Sequence, residues 1–554
     1  LRRPGAHIQI RHRQAIPGGN TMNGKRPRIA SVHGVVAAAH PLAAQAGAQV
    51  LREGGNAFDA IAATAAALNV AEPFMSGLAG MGQATAYVAK EKRVRTLDFV
   101  TRVPFELPIE RFARREDLAR GPLACGTPGN LAGWCELVRA HGRKQLKDVF
   151  APAIAIARDG MVITEFGEYK FMEAAADLPK YKAFYGDWNR TYAFGKGAVK
   201  AGDVLRQPDL ARTYEAIAAE GPDHLYRGEL GKAMIRHVRK LGGCLTHRDL
   251  EAVKPQWLDP IVAEYRGMAV HTLPPPCEGF QYLLTLRILD GFDIARLERN
   301  GVDHLDLVWR AIRVAAGARI AHNNPGPRKL KELLSERFVA KLRKRVADGK
   351  PIDGPTEQWI EARPIDERKE HTTSFSAADR EGNVVCITQS LGATFGCGVV
   401  VPGTGVCLNN FLYWGEVNPK GTNYMRPGGP LALPTAPTIA TRKGRPVLAL
   451  GTPGSYGICQ TQTQTMVQLV DYGLQIQDAI EAPRARLWDG RRVQVEGRVR
   501  PEVVEALNAR GHAAESYVPW TMTVGGMHGI VIDPASGAMT GGCDPRRDGY
   551  VATA

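Results

Sequence analysis

The feature that most constrains this chain is an abrupt change of character at residue 371. Residues 351–370, PIDGPTEQWIEARPIDERKE, combine three prolines with many charges and little periodicity, and read as an exposed linker. Directly after it TTSFSAAD alternates, REGN supplies a turn and VVCITQSL alternates again, which is a β-hairpin signal. Thr372 therefore opens a strand behind a segment that proteolysis or self-cleavage could remove. That placement has a chemical consequence. A threonine hydroxyl is a weak nucleophile, and an adjacent α-amine can serve as its base only once the preceding bond is broken. An α-amine with a pKa of about 7.7–8 is partly neutral near pH 7. A cut after His371 would thus let Thr372 supply both nucleophile and base. On pattern alone the signal is weak, because a Thr-Thr pair at a strand start is ordinarily a plain β-propensity feature.

The remainder of the chain reads as a layered α/β protein. Residues 41–70 predict two helices, with Gly54-Gly55 ending the first and Asn56 capping the second. GLAGMGQATAYVAKEKRVRTLDF predicts a glycine-rich stretch and a hairpin. Residues 129–350 read as mostly helical, including one amphipathic helix over KLKELLSERFVAKLRKRV. Further strands are expected at APTIATRKGRPVLALGTPG and MHGIVIDPASGAMTGG, with a helix at GICQTQTQTMVQLVDYG between them.

Charge and cysteine usage narrow the function. Of the net charge of +15, seven units come from Arg2, Arg3, Arg11, Arg13, Lys25, Arg26 and Arg28, in a stretch without acids, so residues 1–30 read as a basic, disordered tail. The rest of the chain is only mildly basic, and no nucleic-acid partner is expected. The tail lacks an apolar run of signal-peptide length; its arginines weakly resemble a transit peptide, and the preferred reading is a start at Met22 with residues 1–21 upstream of it. No run of about 18 apolar residues predicts a membrane span. Nine irregularly spaced cysteines, with no C-x-x-C, fit reduced core thiols in the cytoplasm. G-x-G-x-x-G, P-loop and H-E-x-x-H patterns do not occur, so neither a cofactor nor a metal is expected.

Several segments resemble the γ-glutamyltransferase family of N-terminal-nucleophile hydrolases. They are LREGGNAFDAIAATAAALNVAEP, LACGTPGNLAGW, GPDHLYRGELGKAMI, YRGMAVHTLPPP, TTSFSAADREGNVVCITQSLGATFGCGVVVPGTGVCLNN, GTPGSYGI, DYGLQIQDAIEAPR and DPRRDGY, in family order over residues 31–550. The resemblance implies a four-layer αββα sandwich, made as one precursor and cut between His371 and Thr372 into interlocked fragments, 31–371 and 372–554. It implies an acyl-enzyme mechanism on a small-molecule amide, with water or an amine as acceptor and a homodimer of processed heterodimers as the expected assembly. Carried over by position, Thr372 is the nucleophile, Thr373 supports it, Ser390 bonds it, and the N–H groups of Gly454 and Ser455 form the oxyanion hole.

The departures fall where the family grips an α-amino acid. An arginine after LDF is Val100 here, with Arg102 two residues on and expected on the same strand face. Asn410 ends LNN as in the family. The glutamine and aspartate that follow are Phe411 and Trp414, and a paired serine is Leu433-Pro434. An asparagine ahead of Thr-Phe-Gly is Gly392. Exchanging a buried counter-charge for an apolar wall disfavours a substrate ammonium. The expected acyl group therefore lacks an α-amino group, as in a dicarboxylic, aromatic or small amide. Two alternatives stay open: a genuine γ-glutamyltransferase acting on glutathione, and a non-catalytic relative that binds without turnover.

Overall fold

In the computed structural model the described residues are 28–193, 195, 198–354 and 371–554. Most of the basic tail, and linker residues 355–370, lie outside them. The alanine-rich segment forms α1 (Pro41–Arg52) and α2 (Ala57–Ala71). Asn56 and Asp59 close a reciprocal capping box at the start of α2, as the sequence predicts. Small residues let the pair approach closely: a Cβ on Gly47 of α1 would collide with Thr64 of α2.

Fourteen strands build two antiparallel seven-stranded sheets. In chain order they are β1 (Ile29–Ser31), β2 (Gly34–Ala38), β3 (Met81–Val88), β4 (Arg93–Phe99), β5 (Gln256–Leu258), β6 (Ile261–Tyr265) and β7 (Met268–Thr272). After the linker come β8 (His371–Asp379), β9 (Val384–Gly392), β10 (Thr438–Arg442), β11 (Arg445–Gly451), β12 (His528–Ile532), β13 (Met539–Cys543) and β14 (Tyr550–Thr553). One sheet runs β1-β13-β12-β11-β10-β7-β6, the other β14-β2-β8-β9-β3-β4-β5. Each therefore interleaves strands from before and after residue 371.

Side-chain alternation sorts the layers. Phe375, Ala377, Val385 and Ile387 point from β8 and β9 into a core shared with α1 and α2. Their neighbours Ala378, Val384 and Cys386 point the other way, against Ile439, Ala449 and Ile530 of the facing sheet. The outer face of that facing sheet sends Ala440, Leu448 and Leu450 against helices Phe280–Leu289, Val302–Ala321 and Ile458–Val470. The result is helix, sheet, sheet, helix, the αββα sandwich that the resemblance implied. Both faces of β8 and β9 are buried throughout. The alternation of TTSFSAAD therefore separates two interiors, not core from water. All nine cysteines are buried.

Two sequence expectations are corrected. The helical stretch 129–350 contains the strands β5, β6 and β7, whose outward positions, such as Glu264, are polar and broke the apolar signal. The amphipathic segment 329–346 is two helices, Pro327–Leu333 and Glu336–Ala347. Ser335 interrupts them because its side chain caps the second by accepting from the Phe338 N–H.

Candidate active site

The junction between His371 and Thr372 lies at the start of β8, in the middle of its sheet. Pairing with β9 slips there: Thr373 faces Gln389, but His371 faces Gly392, which leaves a bulge across the junction. Thr372 is 8% exposed, and its Oγ donates to the carbonyl oxygen of His371 at 2.6 Å. Ser390 Oγ donates to the same oxygen at 2.5 Å, while accepting from the Gly392 N–H at 2.9 Å. The partner of Ser390 is thus the carbonyl ahead of Thr372, and two hydroxyls converge on it. On the other side of Thr372, Arg547 Nη1 donates to the Thr372 carbonyl at 3.0 Å.

Thr373 is fully buried beside Glu72, the residue that ends α2. Burial pushes the Glu72 carboxyl up to about 7, against the pull of Arg547. The His371 imidazole enters a polar cluster on the helix Glu165–Asp177, called α3 from here on. Its Nε2 is 3.0 Å from Glu173 and 2.6 Å from Thr394 Oγ, and its Nδ1 is 3.3 Å from Lys170 Nζ. Lys170 and Glu173 pair at 2.8 Å. Burial alone would raise the Glu173 pKa, but facing His371 and Lys170 holds it well below the usual carboxylate range. No sequence signal marked Lys170 or Glu173, and Glu72 and Arg547 lay inside two of the resembling segments without being given a role. In FGEYKFMEAAAD a Lys and Glu three apart look like an ordinary solvated helix pair.

The turn carrying Gly454 and Ser455 follows β11, whose last residue, Gly451, presses so closely on Ser374 of β8 that a Cβ there would collide with its hydroxyl. Gly454 has φ +130° and Ser455 φ +54°, so Ser455 holds a left-handed conformation that costs a non-glycine residue about 1 kcal/mol. Arg486 pins the turn by donating to the Gly454 carbonyl at 2.7 Å. Arg547 packs on Gly526, whose N–H donates to Thr452 at the root of the turn at 3.1 Å. Arg547 thereby links the turn's base to the Thr372 backbone.

The residues in place of the amino-acid clamp come together. Val100, Phe411 and Leu433 are buried in one apolar cluster with Met81, Leu412 and Leu431, and Trp414 packs on its edge. The Trp414 ring lies 6.1 Å from that of Tyr456, the residue after Ser455. Arg102 departs from expectation: β4 ends at Phe99, so Val100 and Arg102 share no strand face. Arg102 Nη1 instead donates to the Gly428 carbonyl at 3.2 Å. Asn410 is engaged at both ends of its amide, accepting from Ala393 N–H at 2.7 Å and donating to the Ala119 carbonyl at 3.0 Å. A Cβ on Gly392 would collide with that amide oxygen, which accounts for glycine there.

A family profile described as Gamma-glutamyltranspeptidase matches residues 43–554. The chain belongs to the gamma-glutamyltranspeptidase family. An acylase ACY 1 proenzyme from a Pseudomonas species is 33% identical over 541 residues, covering 95% of this chain and 94% of that protein. A glutathione hydrolase proenzyme from Bacillus subtilis is 31% identical over 544 residues, covering 93% and 90%. Among solved structures, a cephalosporin acylase from Bacillus halodurans superposes with a TM-score of 0.86 at 29% identity, covering 98% of this chain and 99% of the other. Gamma-glutamyltranspeptidase-family membership and the αββα sandwich agree on an enzyme of the N-terminal-nucleophile hydrolase type.

Proposed function

We propose that this protein is a self-processing amide hydrolase and acyltransferase with Thr372 as its nucleophile, acting on acyl groups that lack an α-amino group. The observation that carries the reading is the convergence of the Thr372 and Ser390 hydroxyls on the His371 carbonyl at a strand-opening bulge. In maturation the Thr372 oxygen attacks the His371 carbonyl carbon, and the Ser390 hydroxyl stabilises the charge that develops on the carbonyl oxygen. The C–N bond breaks, and the Thr372 nitrogen takes up the hydroxyl proton. Water then hydrolyses the resulting ester, leaving a His371 carboxylate and a free Thr372 hydroxyl and amine.

In turnover the new amine accepts the hydroxyl proton as Thr372 attacks a substrate amide, and that proton passes to the departing amine. The N–H groups of Gly454 and Ser455 are assigned to the substrate oxyanion. Water or an amine acceptor completes the cycle. Val100, Phe411, Trp414 and Leu433 form the acyl wall, which disfavours an ammonium and suits a dicarboxylic, aromatic or small acyl group. The acylase relatives support this choice. A second reading, a glutathione-cleaving γ-glutamyltransferase, is favoured by the Bacillus subtilis relative.

Intact mass spectrometry of the wild type and of Thr372→Ala tests the mechanism. The wild type should yield a fragment beginning at Thr372 and the variant should stay whole; a whole wild type would refute the reading. Preferential turnover of γ-glutamyl-p-nitroanilide over acyl anilides without an amine would refute the acyl assignment and favour the second reading.

A further inference from the structure

We infer that Lys170, Glu173 and Thr394 form a cradle that grips the His371 side chain and positions the scissile carbonyl for self-cleavage. The inference rests on the self-processing reading above and assigns positioning residues to its first step.

The hydrogen bonds define one consistent arrangement. Thr394 Oγ donates to Glu173 Oε1 at 2.7 Å, so its lone pairs face the imidazole. Nε2 of His371, with Glu173 at 3.0 Å and Thr394 Oγ at 2.6 Å, must then be the protonated nitrogen. Nδ1, 3.2 Å from the same Thr394 Oγ, lies 3.3 Å from the Lys170 ammonium, which can only donate, so Nδ1 accepts from it.

This is an expensive device for mere packing. Lys170 is wholly buried, and taking an ion pair out of water is often no better than an apolar replacement. What the pair gains is a fixed seat for the one side chain attached beside the scissile carbonyl. Rotation about the His371 backbone would swing that carbonyl away from Ser390 and from the attacking hydroxyl. The junction is thereby held at three points: the His371 side chain by the cradle, its carbonyl by Ser390, and the next carbonyl by Arg547. Attack within one residue tolerates little misplacement, since an error of about 1 Å can cost on the order of 100-fold.

The test follows cleavage after a pulse of cell-free translation of the full chain. His371→Leu keeps bulk and removes both polar contacts, whereas His371→Gln keeps one acceptor and one donor. The inference expects His371→Leu to slow cleavage about tenfold or more and His371→Gln to recover most of the rate. Hydroxylamine, which captures an ester once formed, should not restore His371→Leu, because the step that is slowed precedes the ester. Glu173→Gln should slow cleavage in the same direction. In a Thr372→Ala background, both His371 variants should still unfold in one cooperative transition, with His371→Leu melting below the parent because Lys170 and Glu173 lose a buried partner. Wild-type cleavage in His371→Leu, equal slowing by Leu and Gln, or recovery with hydroxylamine would each overturn the cradle. Those outcomes leave self-processing standing. A wild type that never cleaves removes the self-processing reading itself.

Discussion

The His371–Thr372 junction and the apolar cluster from residue 411 to 433 are built by opposite means. At the junction, hydroxyls, a guanidinium and an imidazole each meet a specific partner, and the backbone is held by groups from four parts of the chain. The wall holds its shape through apolar contact among Phe411, Leu412, Leu431 and Leu433, with Trp414 at its rim. Polar networks are intolerant, because removing one member leaves another buried and unsatisfied. Apolar walls tolerate exchange as long as volume is kept. The two regions therefore differ in what a substitution costs: the junction is constrained by specific partners, and the cluster around Phe411 only by fit.

Three variants sharpen or break that contrast. The largest effect belongs to the junction. Ser390→Ala removes a donor from the His371 carbonyl and should slow cleavage about 10²–10³-fold, read from the time course of fragment formation. Ser390→Thr, which keeps the hydroxyl, should process far better than Ser390→Ala, and equal rates in the two would remove Ser390 from the mechanism. At the wall, Trp414→Asp should leave processing in place but shift choice. The ratio of kcat/KM for γ-glutamyl-p-nitroanilide to that for an acyl anilide without an amine should rise about 10–100-fold. If the ratio stays put while cleavage fails, the two regions are not separable as argued.

The last prediction concerns the stability of the buried ground beneath the junction, at Glu72, next to Thr373. Its carboxyl titrates near 7 in the fold against an ordinary 4.5, so between those values the native state keeps a proton that the unfolded state has lost. Stability should therefore fall as pH rises through that window, by on the order of 3 kcal/mol in total. Urea unfolding of the Thr372→Ala precursor measures the slope, and Glu72→Gln should flatten it. An unchanged slope in Glu72→Gln would place the titrating group elsewhere.

Much of the scaffold was legible beforehand. The capping box at Asn56, the hairpin of β3 and β4, the hairpin of β8 and β9 and the helix at Ile458–Val470 all carry local signals. The first and last strands, β1, β2 and β14, and the β5–β7 segment carried none strong enough, being short or polar on one face. At the site, Thr372, Ser390 and the Gly454 turn stood out by position and resemblance. Arg102 was misplaced because strand β4 ends at Phe99, three residues before it.

By itself, then, the sequence determined periodicity, caps, turns and the placement of a threonine at a strand start, because these are written within a few neighbouring residues. The tertiary structure alone decided which groups surround that threonine. Arg547 reaches its carbonyl from 175 residues away, and Lys170 meets His371 across 201. Such meetings depend on how two sheets and a helix pack, and no local pattern encodes them. Burial then sets their surroundings: the same Lys–Glu spacing that would be idle on a solvated helix is, once water is excluded, held against the His371 imidazole.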